Sequence, residues 1–240
     1  SMREYEKLRL QFEQQREMSE TRTRFMNTVS HEFRTPLATI LSSAETLQRY
    51  LERMPTDDRE RRFNTIKEQV LHLRTMLDDI SILIAGESGH LAFHPSPVDL
   101  RALAGEALET AAVACANSHH FALSFEGNNR PVMADARLLR YILNNLLNNA
   151  IKYSPAGSNI SLDLYLDTLQ VTLGVTDEGI GIPETEQSRI FDAFFRGSNT
   201  GHTAGSGLGL KIVQDSAALH GGSVRFTSAP NKGTTFAVVL

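Results

Sequence analysis

Asn144-Asn145-Leu146-Leu147-Asn148-Asn149-Ala150-Ile151-Lys152-Tyr153 is the stretch that decides how the second half of this chain folds. Leu139, Leu143, Leu146, Leu147 and Ala150 recur at steps of three and four, which predicts a helix over 138–153 with one packed side. Asn145, Asn149, Lys152 and Tyr153 fall at i, i+4, i+7 and i+8, on a different face. Amide oxygens suit a hard cation, lysine suits a phosphate and tyrosine suits a base ring. A solvated polar stripe has the same spacing. Yet asparagine is a poor helix former, and four of them crowd residues 144–149. A local cost of that kind is kept where function needs it.

Strands surround this helix. Phe121, Leu123 and Phe125 alternate, as do Ile160 to Leu166 and Leu169 to Val175, with Asp167-Thr168 as the expected turn. Thr227, Ser228, Asn231 and Gly233 punctuate a last pair of strands ending at Leu240. Leu100, Leu103, Ala104, Ala107, Leu108 and Ala111 form another helical stripe, which Cys115 continues as a packed small residue. The mixture predicts an α/β sandwich.

Two glycine clusters follow. Asp177-Glu178-Gly179-Ile180-Gly181 stands at a strand end, where a carboxylate can accept from an amino group and glycines let a flat ring approach the backbone. Gly205-Ser206-Gly207-Leu208-Gly209 opens a helix over 208–219, and such N-termini bind phosphate. It lacks the lysine of a P-loop and follows no strand, so it is no Rossmann fingerprint. Between the clusters, Phe191 to Arg196 can pin one end of a small, polar stretch suited to a lid.

The first half reads as two long helices. Positions from Tyr5 to Phe33 keep a seam whose middle is polar, a marginal coiled coil. Past Phe33 the spacing stutters at Leu37, Ile40, Ala44, Leu47 and Leu51, and Pro36 predicts a bend there. Arg53 to Thr56 break the pattern, Asp57 with Glu60 resembles a capping box, and Phe63 to Ile84 carry an unbroken seam closed by Gly86 and Gly89. A lone hairpin buries its stripe poorly, so a homodimeric four-helix bundle is expected. With Val29 and Phe33 inward, His31 points outward, between Asn27 and Thr35 on one face and beside Glu32. A carboxylate near an imidazole can take its proton and leave a nitrogen free to attack. On spacing alone, an ordinary surface histidine beside an acid is the commoner reading. The other seven histidines read as solvated or capping residues.

The 240 residues favour two domains. Net charge is −4, which disfavours a nucleic-acid partner, and no apolar run suggests a membrane span or contact. The start is no signal peptide, and Ser1 before Met2 reads as a cloning scar on an excised piece of a longer chain, possible membrane anchorage lying in the missing part. Cys115, the only cysteine, fits a reducing, cytoplasmic setting.

From about Thr23 to Leu240, these segments in this order resemble the kinase core of a bacterial two-component sensor histidine kinase. His31-Glu32-Phe33-Arg34-Thr35-Pro36-Leu37 is similar to the H-box and Asn145 to Tyr153 to the N-box. The glycine clusters are similar to the two glycine boxes, Phe191 to Arg196 to the F-box, and Gly233-Thr234-Thr235-Phe236 to a last glycine element. The fold class implied is α + α/β: a coiled-coil helix (1–22), a dimerisation and histidine-phosphotransfer hairpin (23–86), a linker (87–98) and a Bergerat-type (GHKL) α/β sandwich (99–240). The resemblance implies His31 as phosphoacceptor, Glu32 as base and Thr35 as the residue that orients water for phosphatase activity. It implies ATP and Mg²⁺ as cofactors, with Asn149 and Asn145 on the metal and phosphates, Lys152 on phosphate, Tyr153 beside the adenine and Asp177 on its amino group. Gly179, Gly181, Phe194, Arg196, Gly205, Gly207, Leu208 and Gly209 would complete the nucleotide site, with 192–206 as the lid. The partners implied are a second copy and a response-regulator receiver domain, whose aspartate takes the phosphoryl group. The rival expectations are a Bergerat-type ATPase with an incidental His31 and a signalling scaffold with an idle site.

Overall fold

A computed structural model describes residues 2–87, 93–128, 130–167, 170–201 and 205–240. The chain divides into two compact units, Ser1–Asp78 and Asp79–Leu240. The expectations at Gly89, His90, Thr168, Leu169 and 202–204 fall outside the described residues, as do most side chains of the seam between Tyr5 and Arg22.

The first unit is helical. Helix α1 (Met2–Tyr50) runs through Pro36 without a break. The proline leaves only the Glu32 carbonyl without its usual intrahelical donor. The turn after α1 is tied by Arg59, whose guanidinium donates to the carbonyls of Leu51 at 3.2 Å and Met54 at 3.4 Å. Carbonyls at a helix end need such donors. Helix α2 (Thr56–Glu87) starts one residue before Asp57, so Asp57 and Asp58 occupy its first turn, where they complement the helix dipole, and Asp57 is not the cap expected from sequence. Gly86 lies inside α2 and does not end it. The α2 seam splits by register. Ile66, Leu73 and Ile80 are half-buried, whereas Phe63, Val70, Leu77 and Ile84 are each more than half exposed.

The second unit is a two-layer sandwich. Its elements are β1 (Ser96–Val98), α3 (Leu100–Ala114), β2 (His120–Gly127), β3 (Val132–Ala134), α4 (Ala136–Tyr153), β4 (Asn159–Leu166), β5 (Val171–Asp177), α5 (Gly209–Leu219), β6 (Ser223–Ser228) and β7 (Thr234–Val239). Short 3₁₀ turns span Glu184–Arg189 and Ser198–Thr200. The main sheet has the order β2-β4-β5-β7-β6, with β2 parallel to β4 and the other pairs antiparallel. Alternation sets the faces. Ile160, Leu162, Leu164, Leu173, Val175 and Val238 point into the core beneath the helices, and Asp163 and Tyr165 stay exposed. The α4 residues Leu139, Ile142, Leu143, Leu146 and Leu147 are at most 1% exposed. Each such side chain contributes about 1.5–3 kcal/mol on leaving water.

Two local differences have physical causes. The stretch expected as a linker, 87–98, ends in β1, which pairs with β3 in the register Ser96↔Ala134. Three residues containing a proline carry too little periodicity to read as a strand. Thr227 and Ser228 finish β6 rather than forming the turn, because their pairing with Thr235 and Thr234 continues to the strand end.

Candidate active site

Helix α4 begins on Asp135, whose carboxylate accepts from the amides of Arg137 at 3.0 Å and Leu138 at 3.3 Å. Such a cap fixes the start of the helix. Its far end carries the asparagines in two sets. Asn145 and Asn149 are half-buried and Asn144 and Asn148 are exposed. The Asn145 amide nitrogen donates to the Tyr141 carbonyl at 3.0 Å. Its Oδ1 stands against Gly209, the first residue of α5, where any Cβ would collide with it.

The remaining motifs interlock around the same helix. A side chain at Gly205 would strike Lys152 Nζ, and one at Gly179 would meet the Tyr153 carbonyl at 2.6 Å. The Ile180 amide donates to that carbonyl at 3.1 Å. Gly207, at φ +69°, packs its backbone on Phe194, whose amide donates to the Gly207 carbonyl at 2.9 Å. Phe194 is itself at φ +65°, a strained setting for a bulky residue. Gly181, at φ +65°, abuts the carbonyl of Ala229, so only glycine fits there. Leu208 is fully buried at the start of α5, and the Ser206 hydroxyl accepts its amide at 3.3 Å.

Asp177 ends β5 opposite Thr234. Its Oδ1 accepts from the amides of Gly179 at 2.8 Å and Thr234 at 3.2 Å. Its Oδ2 has no protein partner among the described residues. Burial pushes the Asp177 carboxyl pKa up, and the two amides partly offset that. Lys152 is lowered to about 8, first by burial and then by the Arg196 guanidinium. Its ammonium lies 5.0 Å from the centre of the Tyr153 ring. Burial raises the Tyr153 phenol, and Arg196 partly offsets it.

A cleft of about 510 Å³ opens beside these groups, lined by Lys152, Tyr153, Ser154, Pro155, Glu178, Gly179, Ile180, Asn199, Thr200 and Asn231. Asn145, Asn149 and Asp177 do not line it. Sequence reasoning missed Asn231 and the pairing of Glu178 with Asn159. Glu178 accepts from the Asn159 amide at 2.9 Å and from its side chain, and these bonds lower its pKa. Neither contact has a sequence signal, because β4 and β5 bring the two residues together across the sheet. The Asn199 side chain, in the expected lid, donates to the Gly181 carbonyl at 2.9 Å.

His31 lies in the first unit. Val29 and Phe33 are half-buried and His31 and Thr35 exposed, as their spacing predicts. Glu32 is half-buried. A groove of about 930 Å³ runs beside them, lined by His31, Arg34, Thr35, Thr39, Ser42, Arg62 and neighbours. The reading of all other histidines as solvated or capping fails at His119, which is buried, with Nδ1 hydrogen-bonded to the Ser118 hydroxyl at 2.9 Å. His220 does cap a helix, at the end of α5.

Glycine clusters locked to an asparagine-bearing helix under a sheet define a class of ATP-binding domain. Residues 134–240 match the family model for histidine kinase-, DNA gyrase B- and HSP90-like ATPases, which implies ATP binding. Residues 21–88 match the model of the histidine kinase A phosphoacceptor domain. SenX3 of Mycobacterium bovis, a sensor-like histidine kinase, is 36% identical over 231 residues, covering 93% of this chain and 54% of SenX3. The mycobacterial sensor histidine kinase MprB structure is 32% identical with a TM-score of 0.55, covering 60% of this chain and 97% of that one. The Acinetobacter baumannii histidine kinase AdeS shares the fold, with a TM-score of 0.69 at 22% identity over 88% of this chain and 96% of AdeS. This chain belongs to the sensor histidine kinase family. It spans between 29% and 58% of the length of the curated relatives it matches.

Proposed function

We propose that this chain transfers the γ-phosphoryl group of ATP to His31 and passes it on to an aspartate of a response-regulator receiver domain. The observation that carries the reading is Asp177. Asp177 is half-buried, two backbone amides fix its Oδ1, and its Oδ2 is left for an amino group such as that of adenine. Lys152 and Arg196 supply positive charge nearby for phosphates. The start of α5 adds backbone donors.

The residues suit Mg²⁺. No cluster of three or more acidic, histidine or cysteine side chains exists among the described residues, so the amide oxygens of Asn145 and Asn149 would share the ion with phosphate and water. The bound ion would supply charge neutralisation on the phosphates. Glu32 takes the imidazole proton, and a neutral nitrogen of exposed His31 attacks the γ-phosphorus in line. The bond to the β-phosphate oxygen breaks and ADP leaves. Thr35, one turn on from His31, aligns water when the phosphorylated regulator is hydrolysed. The exposed set Phe63, Val70, Leu77 and Ile84 supports pairing with a second copy. A core that takes ATP and a receiver domain as partners would work in the cytoplasm. No helix among the described residues is long and apolar enough to cross a membrane.

Labelled ATP with Mg²⁺ tests the reading. Wild type should gain an acid-labile, base-stable label and His31→Gln none, with ATP affinity within about twofold because His31 and the nucleotide motifs lie in different units. ATP consumed without label on the protein would replace it with a plain ATPase. Thr35→Ala should keep the label yet slow decay of phosphorylated regulator about tenfold or more. Equal decay with both proteins would remove Thr35 from that step.

A further inference from the structure

His220 joins three distant segments of the second unit. Its Nε2 accepts the backbone amide of Asp135 at 3.1 Å, and its Nδ1–H donates to the Ser216 carbonyl at 2.7 Å. An amide on one nitrogen and a carbonyl on the other fix the neutral, Nδ1-protonated tautomer. Its ring packs edge-to-face with Phe93, with centroids 4.9 Å apart and an interplanar angle of 84°. Asp135, 3% exposed, completes the node by accepting the His94 amide on Oδ2 at 3.0 Å. Burial opposes the Asp135 charge. The amides of His94 and Leu138, the Arg137 guanidinium and the Arg137 amide outweigh burial and hold the carboxyl below its usual range.

The node has a mechanical meaning. Helix α5 meets α4 at both of its ends: His220 to Asp135 at one, Gly209 to Asn145 at the other. The second contact carries the nucleotide motifs. The first receives the chain as it enters the sandwich, since Phe93 and His94 lead directly into β1, which pairs with β3 next to Asp135. The entering chain is thereby fastened to both motif-bearing helices at the ends away from the nucleotide motifs.

We propose that His220 is a positioning residue for phosphoryl transfer: with Asp135 it latches the entering segment Phe93–His94 to the α4–α5 pair. The latch fixes the segment that leads from α2 into the sandwich, away from the nucleotide motifs. This rests on the kinase reading above. Removing the latch therefore lowers the rate of His31 labelling and spares ATP affinity.

The whole chain serves as the test protein, with His220→Leu, His220→Gln and Phe93→Ala. In His220→Leu the Asp135 amide loses its acceptor, and amide exchange at Asp135 and His94 should quicken about tenfold, while β4 and β5 amides stay as in wild type. The labelling kcat should fall about fivefold with KM for ATP within twofold. His220→Gln, which keeps an acceptor, should restore most of both, and Phe93→Ala should reproduce the kcat loss. Unchanged exchange at His94 and Asp135 in His220→Leu overturns the latch. So does a KM that rises as kcat falls, because that marks general damage to the unit. A wild-type chain that takes up no label sinks the kinase reading instead, and amide exchange still decides the latch.

Discussion

The two units solve the burial problem in opposite ways. In the sandwich, α4 hides its apolar face completely under its own chain, and its polar face is held by two glycine clusters from elsewhere in the sequence. In the hairpin, every seventh residue of the α2 seam stays exposed, and the residue expected to react, His31, is exposed too. The sandwich is a finished object that preorganises a site. The hairpin is half of one, and its chemistry stands at a surface that others must approach. Catalysis of this kind rests on positioning, and here the positioning groups and the acceptor sit in separate units.

Core truncation would sharpen that contrast most. Leu147 is fully buried, so Leu147→Ala should destabilise the sandwich by about 2–5 kcal/mol in calorimetry. Val70 is 51% exposed, and Val70→Ala should leave sandwich melting unchanged. It should instead weaken self-association about tenfold, from the two methyl groups lost to a partner copy. Analytical ultracentrifugation reads the second effect. Dimerisation indifferent to Val70→Ala would mean that the exposed seam is not the joining surface.

Next in size is the split between base and metal contacts. Asp177→Ala should weaken both ADP without metal and ATP with Mg²⁺ by about 10–100-fold, because a buried recognition group is lost. Asn149→Ala should weaken the Mg²⁺ complex clearly more than metal-free ADP. Titration calorimetry under both conditions distinguishes them. Identical losses for the two variants would contradict the assigned roles.

How legible these features were follows the same division. The α4 stripe and the β4–β5 alternation were readable, since local periodicity reports burial when one chain supplies the whole core. The outward turn of His31 was readable for the same reason. The latch was not, because Phe93, Asp135 and His220 lie far apart in sequence and only the β1–β3 pairing and the α4–α5 contact join them. His119 was misread because its neighbours Ser118 and Ser154 satisfy it inside the fold, and nothing in the sequence reports that. Asp57 was misplaced by one turn position, a normal error where an acid suits both a cap and a first turn.

The smallest effect is the dependence on pH, and its sign separates stability from binding within the sandwich. Burial and the neighbouring Arg196 lower Lys152 from the ordinary 10.5 to about 8. Between those values the unfolded chain holds a proton on Lys152 that the folded chain has released. The unfolded state binds more protons there, so stability without nucleotide should rise as pH climbs from about 8 toward 10.5. Below about 8 both states are protonated and the penalty of burying the charge is present in full. Binding runs the other way. A phosphate gains from the charged ammonium, so ATP affinity should fall as pH rises through about 8, by at most about tenfold per unit. Tyr153, with its phenol pushed upward, adds no charge in the lower part of that window. Melting curves should therefore climb with pH above about 8 without ADP and stay nearly flat with saturating ADP, and Lys152→Met should remove that difference between the two. Parallel slopes, or a difference that survives in Lys152→Met, would mean that the ammonium neither suffers burial in the free unit nor meets phosphate in the complex.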